Sequence, residues 1–434
     1  MTSTDFFGID SQYFHDSEFF SNLSEKIKIN KFENYSKSGI SSYFSFRYPI
    51  LNNTMFDGYQ ACNTPWRPKF SYNNDSFDIA TAKTEELLIE AVKKIIDNHS
   101  IIGVTLSGGL DSSLIAAIIK KVFPKKKLYT YSCGFYGNDE FEYSRKVAKL
   151  FSDKHTEFIL GKDDFVGENS ILPALIEHKA APLHPNELGL AIAEQKAKLD
   201  HCDIVLCGEG ADDVFGGYGK NLRMYLDYQG DTKDFYKFIM KNYSYFSPEE
   251  MKKLLNDDFY TDTTEMLAPV FKEQECPTDI KDVMFYFIQR VHTRGLIERG
   301  SNALKFNGFQ QGFPFIDPNL VEYGNSLCFD YKVHWNEGVK PEKLDVPYTE
   351  VSEKYDAPKF ILKRVAEKYL PNDIIYRKKI GFPVPFELWF KNDKQWDLDS
   401  NIFKTKDISS FSGWKKFMII NLDTFINIFN KYKN

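Results

Sequence analysis

The chain has 434 residues, 42% of them hydrophobic and 16% aromatic, with a formal net charge of −6 at pH 7. This composition excludes a disordered chain, and the slight excess of acid gives no general basic face for nucleic acid. No apolar run approaches the ~18 residues of a membrane helix, and no secretory signal is visible. The six cysteines form neither a C-x-x-C pair nor a zinc-type group, so we expect free thiols in a cytoplasmic protein.

Residues 1–80 predict a short irregular and β region, rich in Ser, Asn, Tyr and Phe. Within it, SSYFSFRYPIL, residues 41–51, has the composition of a strand. PWRPKFSYNNDSF, residues 65–77, has two prolines and an Asn-Asn-Asp cluster and predicts a linker. We therefore place a domain boundary near residue 80 and expect one larger domain over residues 81–434.

From residue 80 onward, helical and strand patterns alternate. The helices are predicted at residues 81–99, 110–123 and 138–151, the last capped by Asn138, and the strands at residues 100–106, 127–135, 155–160 and 201–208. This alternation predicts an α/β fold with a parallel sheet. The first strand is apolar throughout, as expected of a central strand buried on both faces. After about residue 219 the pattern becomes mainly helical.

The stretch SGGLDSS begins at Ser107, where the first of these strands ends and a helix begins. Ligands of parallel sheets bind at such places. Gly108 and Gly109 let the backbone approach a ligand closely, and the serines and free helix amides suit phosphate. Asp111 would repel phosphate unless it holds a divalent cation. On the residues alone, a turn in which Asp111 and Ser112 merely cap the helix is an equal alternative, and the Lys of a G-x-x-x-x-G-K-[ST] loop is absent.

This stretch resembles the S-G-G-x-D-S fingerprint of the PP-loop ATP pyrophosphatases. Three further stretches resemble signatures of the asparagine-synthetase branch of that family: LCGEGADDVFGGY (206–218), GFPFIDPNLVEY (312–323) and PKFILKRVAEKYLPNDIIYRKKIGFPVPF (358–386). The resemblance implies a PP-loop synthetase domain, similar to the adenine nucleotide alpha hydrolases, over residues 81–434. It also implies that ATP is cleaved between its α- and β-phosphates, that a carboxylate is adenylated, and that an amine or ammonia then displaces AMP.

The same resemblance assigns roles to individual residues. Asp111 and Asp212 match two Mg²⁺ ligands, Glu209 matches a base for the amine, and Lys359 and Lys379 match lysines that face the phosphates and the reacting centre. The implied nucleotide-binding residues are Leu106, Ser107, Gly108, Gly109, Asp111, Ser112, Cys133, Gly134 and Gly208. Arg299 and Arg377 match family arginines whose roles stay open. The stretch 182–187 matches a region beside the acid pocket, and the role of its His184 is also open. Asp213 stands where the family usually has Glu.

Full-length asparagine synthetases begin with a glutaminase domain whose nucleophile is the cysteine after the initiator methionine. Here Thr2 occupies that position, and residues 42–58 resemble only the tail of such a domain. We therefore expect residues 1–80 to be a remnant, and the nitrogen to come from ammonia, an amine substrate, or a separate amidotransferase or carrier partner. Two alternatives remain: a sulfur-transfer PP-loop enzyme, which would need reactive cysteines, and a non-catalytic homologue.

Overall fold

The computed structural model describes residues 7, 12–62, 66–379, 381 and 384–434. Thr2 and part of the 358–386 signature lie outside these residues. Within them, nine strands form three sheets: β1 Tyr13–His15, β2 Glu18–Phe20, β3 Gln60–Ala61, β4 Ile101–Thr105, β5 Lys127–Phe135, β6 Lys154–Leu160, β7 Ile204–Leu206, β8 Val333–Trp335 and β9 Asp356–Pro358.

The α-helices of the described residues are α1 Leu23–Asn30, α2 Lys37–Phe46, α3 Phe77–Ile96, α4 Leu110–Val122, α5 Phe141–Phe151, α6 Lys162–Val166, α7 Leu172–Lys179, α8 Glu187–Leu199, α9 Ala211–Phe215, α10 Phe235–Tyr243, α11 Pro248–Leu254, α12 Ala268–Phe271, α13 Ile280–Phe287, α14 Thr293–Asn307, α15 Pro318–Ser326, α16 Phe329–Lys332, α17 Phe360–Ala366, α18 Asn372–Ile375, α19 Phe386–Trp389 and α20 Gly413–Phe429. None of these helices is long and apolar enough to cross a membrane.

The central sheet has four parallel strands in the order β6-β5-β4-β7, which confirms the predicted α/β class. Val104 of β4 lies opposite Thr130 of β5 and Leu206 of β7, and all three are buried. Helices α4, α5 and α8 pack against the sheet. Because β4 and β7 are neighbours, the loops that follow them meet at the carboxyl edge of the sheet, which is where ligands of such sheets bind.

The strand predicted over residues 41–51 is wrong, since α2 occupies most of it. Ser36 caps α2 by accepting a hydrogen bond from the Gly39 amide. The aromatic residues that suggested a strand are buried in a helix instead, because Gly39 lets α2 pack directly against the Thr54 carbonyl, where a Cβ would lie 2.0 Å away. Context of this kind overrides β-propensity. The Tyr43 hydroxyl donates to the Met418 carbonyl of α20 at 3.1 Å, so this region shares a core with the C-terminal helix.

Helix α5 begins at Phe141 with Glu140 as its N-cap, so the prediction that Asn138 caps it is wrong. Asn138 lies in a tight turn after β5, where its backbone and that of Phe135 exchange two hydrogen bonds at 2.8 and 2.9 Å. Gly137, with φ of +90°, makes this turn possible. Asn138, which the sequence pattern assigned to the start of the helix, belongs to this turn instead, and the helix begins three residues later.

The mainly helical part after β7 supplies two further sides of the site. A π-helical turn, Ile288–His292, joins α13 to α14, and α14 carries Arg299. Strand β8 pairs with β9 in an antiparallel ribbon, with Val333 opposite Pro358. Lys359 follows directly and holds a left-handed backbone conformation, with φ of +53°, before α17 begins. Such a conformation is costly for a residue other than glycine and persists only where its surroundings enforce it.

Candidate active site

A cavity of about 280 Å³ opens where the loops after β4 and β7 meet. It brings together all of the site residues predicted from the sequence except Gly108 and Gly134, namely Leu106, Ser107, Gly109, Asp111, Ser112, Cys133, Gly208, Glu209, Asp212, Lys359 and Lys379. Residues from distant parts of the chain therefore surround one space, as a binding site requires.

The loop between β4 and α4 is held by its own serines. The Ser112 hydroxyl accepts the Ser107 amide at 3.2 Å and lies 3.2 Å from the Ser107 hydroxyl, which in turn accepts the Gly109 amide at 3.2 Å. The Leu106 carbonyl accepts the Ser132 hydroxyl of β5 at 2.6 Å. These bonds fix a loop of small residues at the start of a thirteen-residue helix, an arrangement that suits a phosphate group.

The two predicted glycines that do not line the cavity have structural positions. Gly108 has φ of +71°, and a Cβ on it would lie 2.5 Å from the Ser144 amide nitrogen of α5. Gly134 makes room for the Phe141 ring, which would lie 2.7 Å from an added Cβ. Both glycines therefore let α5 pack closely against the loop and β5, and the structure does not bring them to the cavity wall.

Asp111 and Asp212 share one cation, the ammonium group of Lys359. The Lys359 Nζ lies 2.8 and 2.7 Å from the two Asp111 oxygens and 2.9 Å from Asp212 Oδ1, while the Lys379 Nζ lies 2.5 Å from Asp212 Oδ2. Burial alone would raise the pKa of Asp212, but the charges of Lys359 and Lys379 outweigh it and hold that pKa below its ordinary value. Burial would likewise lower the pKa of Lys359, but Asp111 and Asp212 outweigh it and raise that pKa.

This donor set fits a divalent cation. Two carboxylates already converge on a positive charge, and Mg²⁺ in nucleotide sites is usually bound by one or two carboxylates together with phosphate oxygens. Among the described residues no three His, Cys, Asp or Glu side chains form a metal-binding group. A cation held by Asp111 and Asp212 would therefore complete its coordination with phosphate oxygens and water.

Glu209 forms a second ion pair in the cavity, with Arg299 of α14. The Arg299 Nη2 donates to Glu209 Oε1 at 2.5 Å, and Arg299 Nη1 lies 3.3 Å from both ring nitrogens of His184. Burial, reinforced by neighbouring arginines, lowers the pKa of His184 well below its usual value, so its ring is neutral. His184 itself is outside the cavity lining and supports Arg299 from behind. The sequence left the roles of both residues open.

Arg377 ties the phosphate loop to the C-terminal part of the chain. Its Nε donates to the Gly108 carbonyl at 3.0 Å, and its Nη1 donates to Glu140 Oε1 at 2.7 Å. Its guanidinium also stacks over the Tyr143 ring at 4.4 Å. Arg377 therefore holds the loop in place through its backbone, a role that the sequence match did not specify.

Leu106 and Cys133 are the two side chains that the resemblance places against the adenine. Leu106 and Cys133 line both the main cavity and a smaller recess of about 20 Å³ beside it. Burial raises the pKa of the Cys133 thiol, and it raises those of Cys202 and Cys207 to about 11 and about 12. All six cysteines are free. Thiols with raised pKa values are poor nucleophiles, which counts against the sulfur-transfer alternative.

Asp213 lies behind the cavity in a buried polar network. Its carboxylate accepts the Thr293 hydroxyl at 2.5 Å and the Tyr218 hydroxyl at 3.1 Å. Burial, with Asp212 and Glu209 nearby, raises the pKa of Asp213 to about 7. The shorter acid that replaces the family's Glu thus anchors the loop after β7 from outside the cavity.

Sequence reasoning missed several residues of the cavity wall, namely Glu140, Glu353 and Lys363, whereas Asn186 lies in the stretch 182–187 that the sequence placed beside the acid pocket. Asn186 is the N-cap of α8, and its Oδ1 is buried with no hydrogen-bond partner among the described residues. Lys363 lies within the 358–386 stretch that carried the resemblance, although the sequence assigned it no role. The others come from segments whose approach to the site only the tertiary fold determines.

A protein-family model described as asparagine synthase matches residues 83–422. The chain is 23% identical over 375 residues to asparagine synthetase (glutamine-hydrolyzing) 1 of Bacillus subtilis strain 168, covering 74% of this chain and 54% of that protein. It is 25% identical over 345 residues to asparagine synthetase (glutamine-hydrolyzing) 3 of the same organism, covering 73% and 50%. The chain thus spans about half the length of these relatives.

Among solved structures, the U34-tRNA thiolase NcsA of Methanococcus maripaludis is similar at 16% identity and a TM-score of 0.27, covering 61% of this chain and 95% of that one. So distant a likeness bears on neither the chemistry nor the substrate. The family match, by contrast, extends from within α3 into α20 and includes every residue of the cavity wall. The chain belongs to the asparagine synthase family.

Proposed function

We propose that this protein is an AMP- and pyrophosphate-forming amide ligase that adenylates a carboxylate with ATP and transfers it to an amine or ammonia. One observation carries the proposal. Asp111 and Asp212, from the first turns of the helices α4 and α9 that follow two neighbouring strands, hold a common positive charge at 2.7–2.9 Å. The same cavity contains a serine-glycine loop, an exposed lysine at residue 379, and Glu209.

In this proposal the triphosphate lies over the loop from Ser107 to Ser112, and the adenine lies against Leu106 and Cys133. The amides and hydroxyls of the loop donate to phosphate oxygens. Asp111 and Asp212 would hold Mg²⁺, which neutralises charge on the phosphates when it is bound. Gly208 allows the two loops to approach, because a Cβ there would lie 3.0 Å from Asp111 Cβ and from the Ser112 amide.

The first chemical step joins a substrate carboxylate oxygen to the α-phosphorus of ATP and breaks the bond to the β-phosphate. The products are an acyl adenylate and pyrophosphate. Lys359 and Lys379 supply fixed positive charge where negative charge accumulates on the leaving group. Such preorganised charge is most effective in a site with little water, and Lys359 is 5% exposed.

In the second step a nitrogen nucleophile attacks the acyl carbon and displaces AMP. An amine is mostly protonated near pH 7 and must lose a proton to react. Glu209 lines the cavity and can accept that proton as a general base. Arg299, whose Nη2 lies 2.5 Å from Glu209 Oε1, orients the carboxylate.

We further propose that the nitrogen does not come from glutamine hydrolysed on this chain. A glutaminase of the expected type needs a reactive cysteine thiolate. Burial raises the pKa of Cys62, the described cysteine of the N-terminal region. Ammonia, an amine on a small-molecule or peptide substrate, or a separate amidotransferase would supply the nitrogen. A cytoplasmic site of action agrees with the free thiols.

ATP–pyrophosphate exchange with a panel of carboxylic acids tests the first step. We expect one acid to support exchange. Asp111→Asn should reduce the exchange rate by about 100-fold or more, because a bound metal stabilises the charge of the transition state by several kcal/mol. The exposed residue Asp330 provides the matched control, and Asp330→Asn should leave exchange unchanged. Glu209→Gln should retain exchange and lose amide formation. Exchange that survives Asp111→Asn would refute the metal role, and a protein that consumes no ATP with any acid would be non-catalytic.

A further inference from the structure

A buried ion pair that the proposed mechanism does not use lies behind the cavity. The Lys179 Nζ lies 3.1 Å from Glu187 Oε2, and the two residues are 8% and 0% exposed. Neither side chain reaches the cavity wall that the described residues form. Burying two charges costs about as much as their attraction returns, so stability alone does not explain the pair.

The Glu187 carboxylate joins the loop before α8 to helix α14. Its Oε2 accepts the His184 amide at 3.3 Å, and its Oε1 accepts the Asn302 Nδ2 at 2.5 Å. Glu187 is the first residue of α8, and its own amide donates to the His184 carbonyl at 3.0 Å. Asn302 follows Arg299 by three residues within α14, so the two share one face of that helix. One carboxylate therefore fixes both segments that meet at Arg299.

The two fixed segments hold the partner of Glu209 between them. Arg299 Nη1 lies 3.3 Å from both ring nitrogens of His184, and Arg299 Nη2 donates to Glu209 Oε1 at 2.5 Å. Because burial lowers the pKa of His184 and leaves its ring neutral, the ring contacts the guanidinium without adding a second charge. A shift of the loop or of α14 would move Arg299, and with it the carboxylate of Glu209.

We propose that Glu187 is a positioning residue for amide formation, which holds the loop before α8 against α14 so that Arg299 presents Glu209 to the nitrogen nucleophile. The proposal rests on the general-base step proposed above. It concerns the second step alone, because the hydrogen bonds of Glu187 in the described part of the chain go to Lys179, His184 and Asn302, and not to groups that face the phosphates.

Two double variants of the full chain separate position from charge, because both remove the buried ion pair. Lys179→Met with Glu187→Met leaves apolar side chains of similar size, a replacement that often preserves stability, and removes the acceptor. Lys179→Met with Glu187→Gln keeps an oxygen for the His184 amide. The probes are the acid that supports pyrophosphate exchange, ammonium chloride and hydroxylamine. Hydroxylamine is largely unprotonated at neutral pH and therefore depends less on a base.

The variant with two methionines should form the amide from ammonium about 10- to 100-fold more slowly, since a slightly misplaced catalytic group costs this much. It should retain pyrophosphate exchange at saturating acid, and hydroxamate formation should fall far less than amide formation. The variant with glutamine should retain all three activities. Urea denaturation of each variant shows whether it is folded.

Unchanged amide formation in the variant with two methionines would overturn the proposal. So would an equal loss of exchange and of both products, because that result indicates a general structural role. If this variant were unfolded, Asn302→Ala, which breaks the link from α14, replaces it; it should lose amide formation from ammonium selectively, and any other result would overturn the proposal.

The same assays distinguish this inference from the function on which it rests. If the unaltered protein formed no product, or if Glu209→Gln formed the amide at the normal rate, the proposed function would fail, and this inference would fail with it. If Glu209→Gln lost amide formation and the variants of Glu187 did not, only the assignment of Glu187 would be wrong.

Discussion

Lys332 offers a quantitative test of the segment that leads to Lys359. Its side chain is fully buried, its Nζ has no hydrogen-bond partner among the described residues, and the ring centroid of Phe285 lies 4.1 Å away. It immediately precedes β8, which pairs with the strand that ends before Lys359. Burial lowers the pKa of Lys332 to about 8. A buried charge of this kind destabilises the fold, so its removal should have the opposite effect.

The size of the effect follows from the pKa. A value of about 8 against the ordinary 10.5, at about 1.36 kcal/mol for each pKa unit, corresponds to a cost of about 3 kcal/mol at neutral pH. The aromatic face of Phe285 stabilises the charged form by up to about 2 kcal/mol. Lys332→Met keeps the packing and removes the charge, so we expect it to raise the free energy of unfolding by about 1 to 3 kcal/mol.

The pH dependence gives a second, independent signature. Between about pH 8 and 10.5 the unfolded chain keeps the Lys332 proton while the folded protein has released it. The unaltered protein therefore gains stability as the pH rises through this window. The advantage of Lys332→Met should be greatest near neutral pH and should disappear above about pH 10.5.

Urea denaturation followed by tryptophan fluorescence at several pH values measures both effects. Lys343→Met, at an exposed lysine of the same region, is the matched control and should change stability by less than about 0.5 kcal/mol. A Lys332→Met protein less stable than the unaltered one at neutral pH would refute the reasoning. So would a stability gain that does not vary with pH.

Two further substitutions test the packing that positions the site. Gly208→Ala should reduce the rate of adenylation by up to about 100-fold in steady-state assays, while the circular dichroism spectrum stays unchanged. The reason is that the new Cβ would lie 3.0 Å from the Asp111 Cβ and push the two segments apart. Unchanged activity would contradict this close approach. Asp356→Ala should lower the free energy of unfolding by about 3 to 5 kcal/mol, since it leaves Arg223 buried without its partner at 2.8 Å. A loss below about 1 kcal/mol in urea denaturation would contradict it.

The sequence predicted which residues share the cavity better than it predicted the elements around them, for a physical reason. Gly108 and Asp111 belong to one short strand-to-helix connection and the turn that follows it, and Asp212 belongs to another, so short motifs identify them. That the two loops meet follows from the order of parallel strands. Glu140 and Arg377 form an ion pair across the loop at 2.7 Å, and only the packing of the C-terminal part against α5 brings them together.

The errors have a similar origin. The stretch around Tyr43 has the side chains of a strand but lies in a helix, because neighbouring elements bury it on all sides and Gly39 lets the backbone of Thr54 approach. Asn138 is a good helix cap by residue type, yet the turn after β5 takes its backbone hydrogen bonds. In both cases contacts with residues elsewhere in the fold outweigh the local conformational preference of the sequence.

The charges of the cavity also determine which experiments are informative. Asp212 is paired with Lys359, the N-cap of α17, and with Lys379, which follows α18. Glu209 is paired with Arg299 of α14. Removing one charge leaves its partner unpaired in a partly buried site, which costs stability as well as function. A lost activity alone therefore does not identify a catalytic residue here. Assays that separate binding, adenylation and amide formation do, because a general loss of stability would affect all three together.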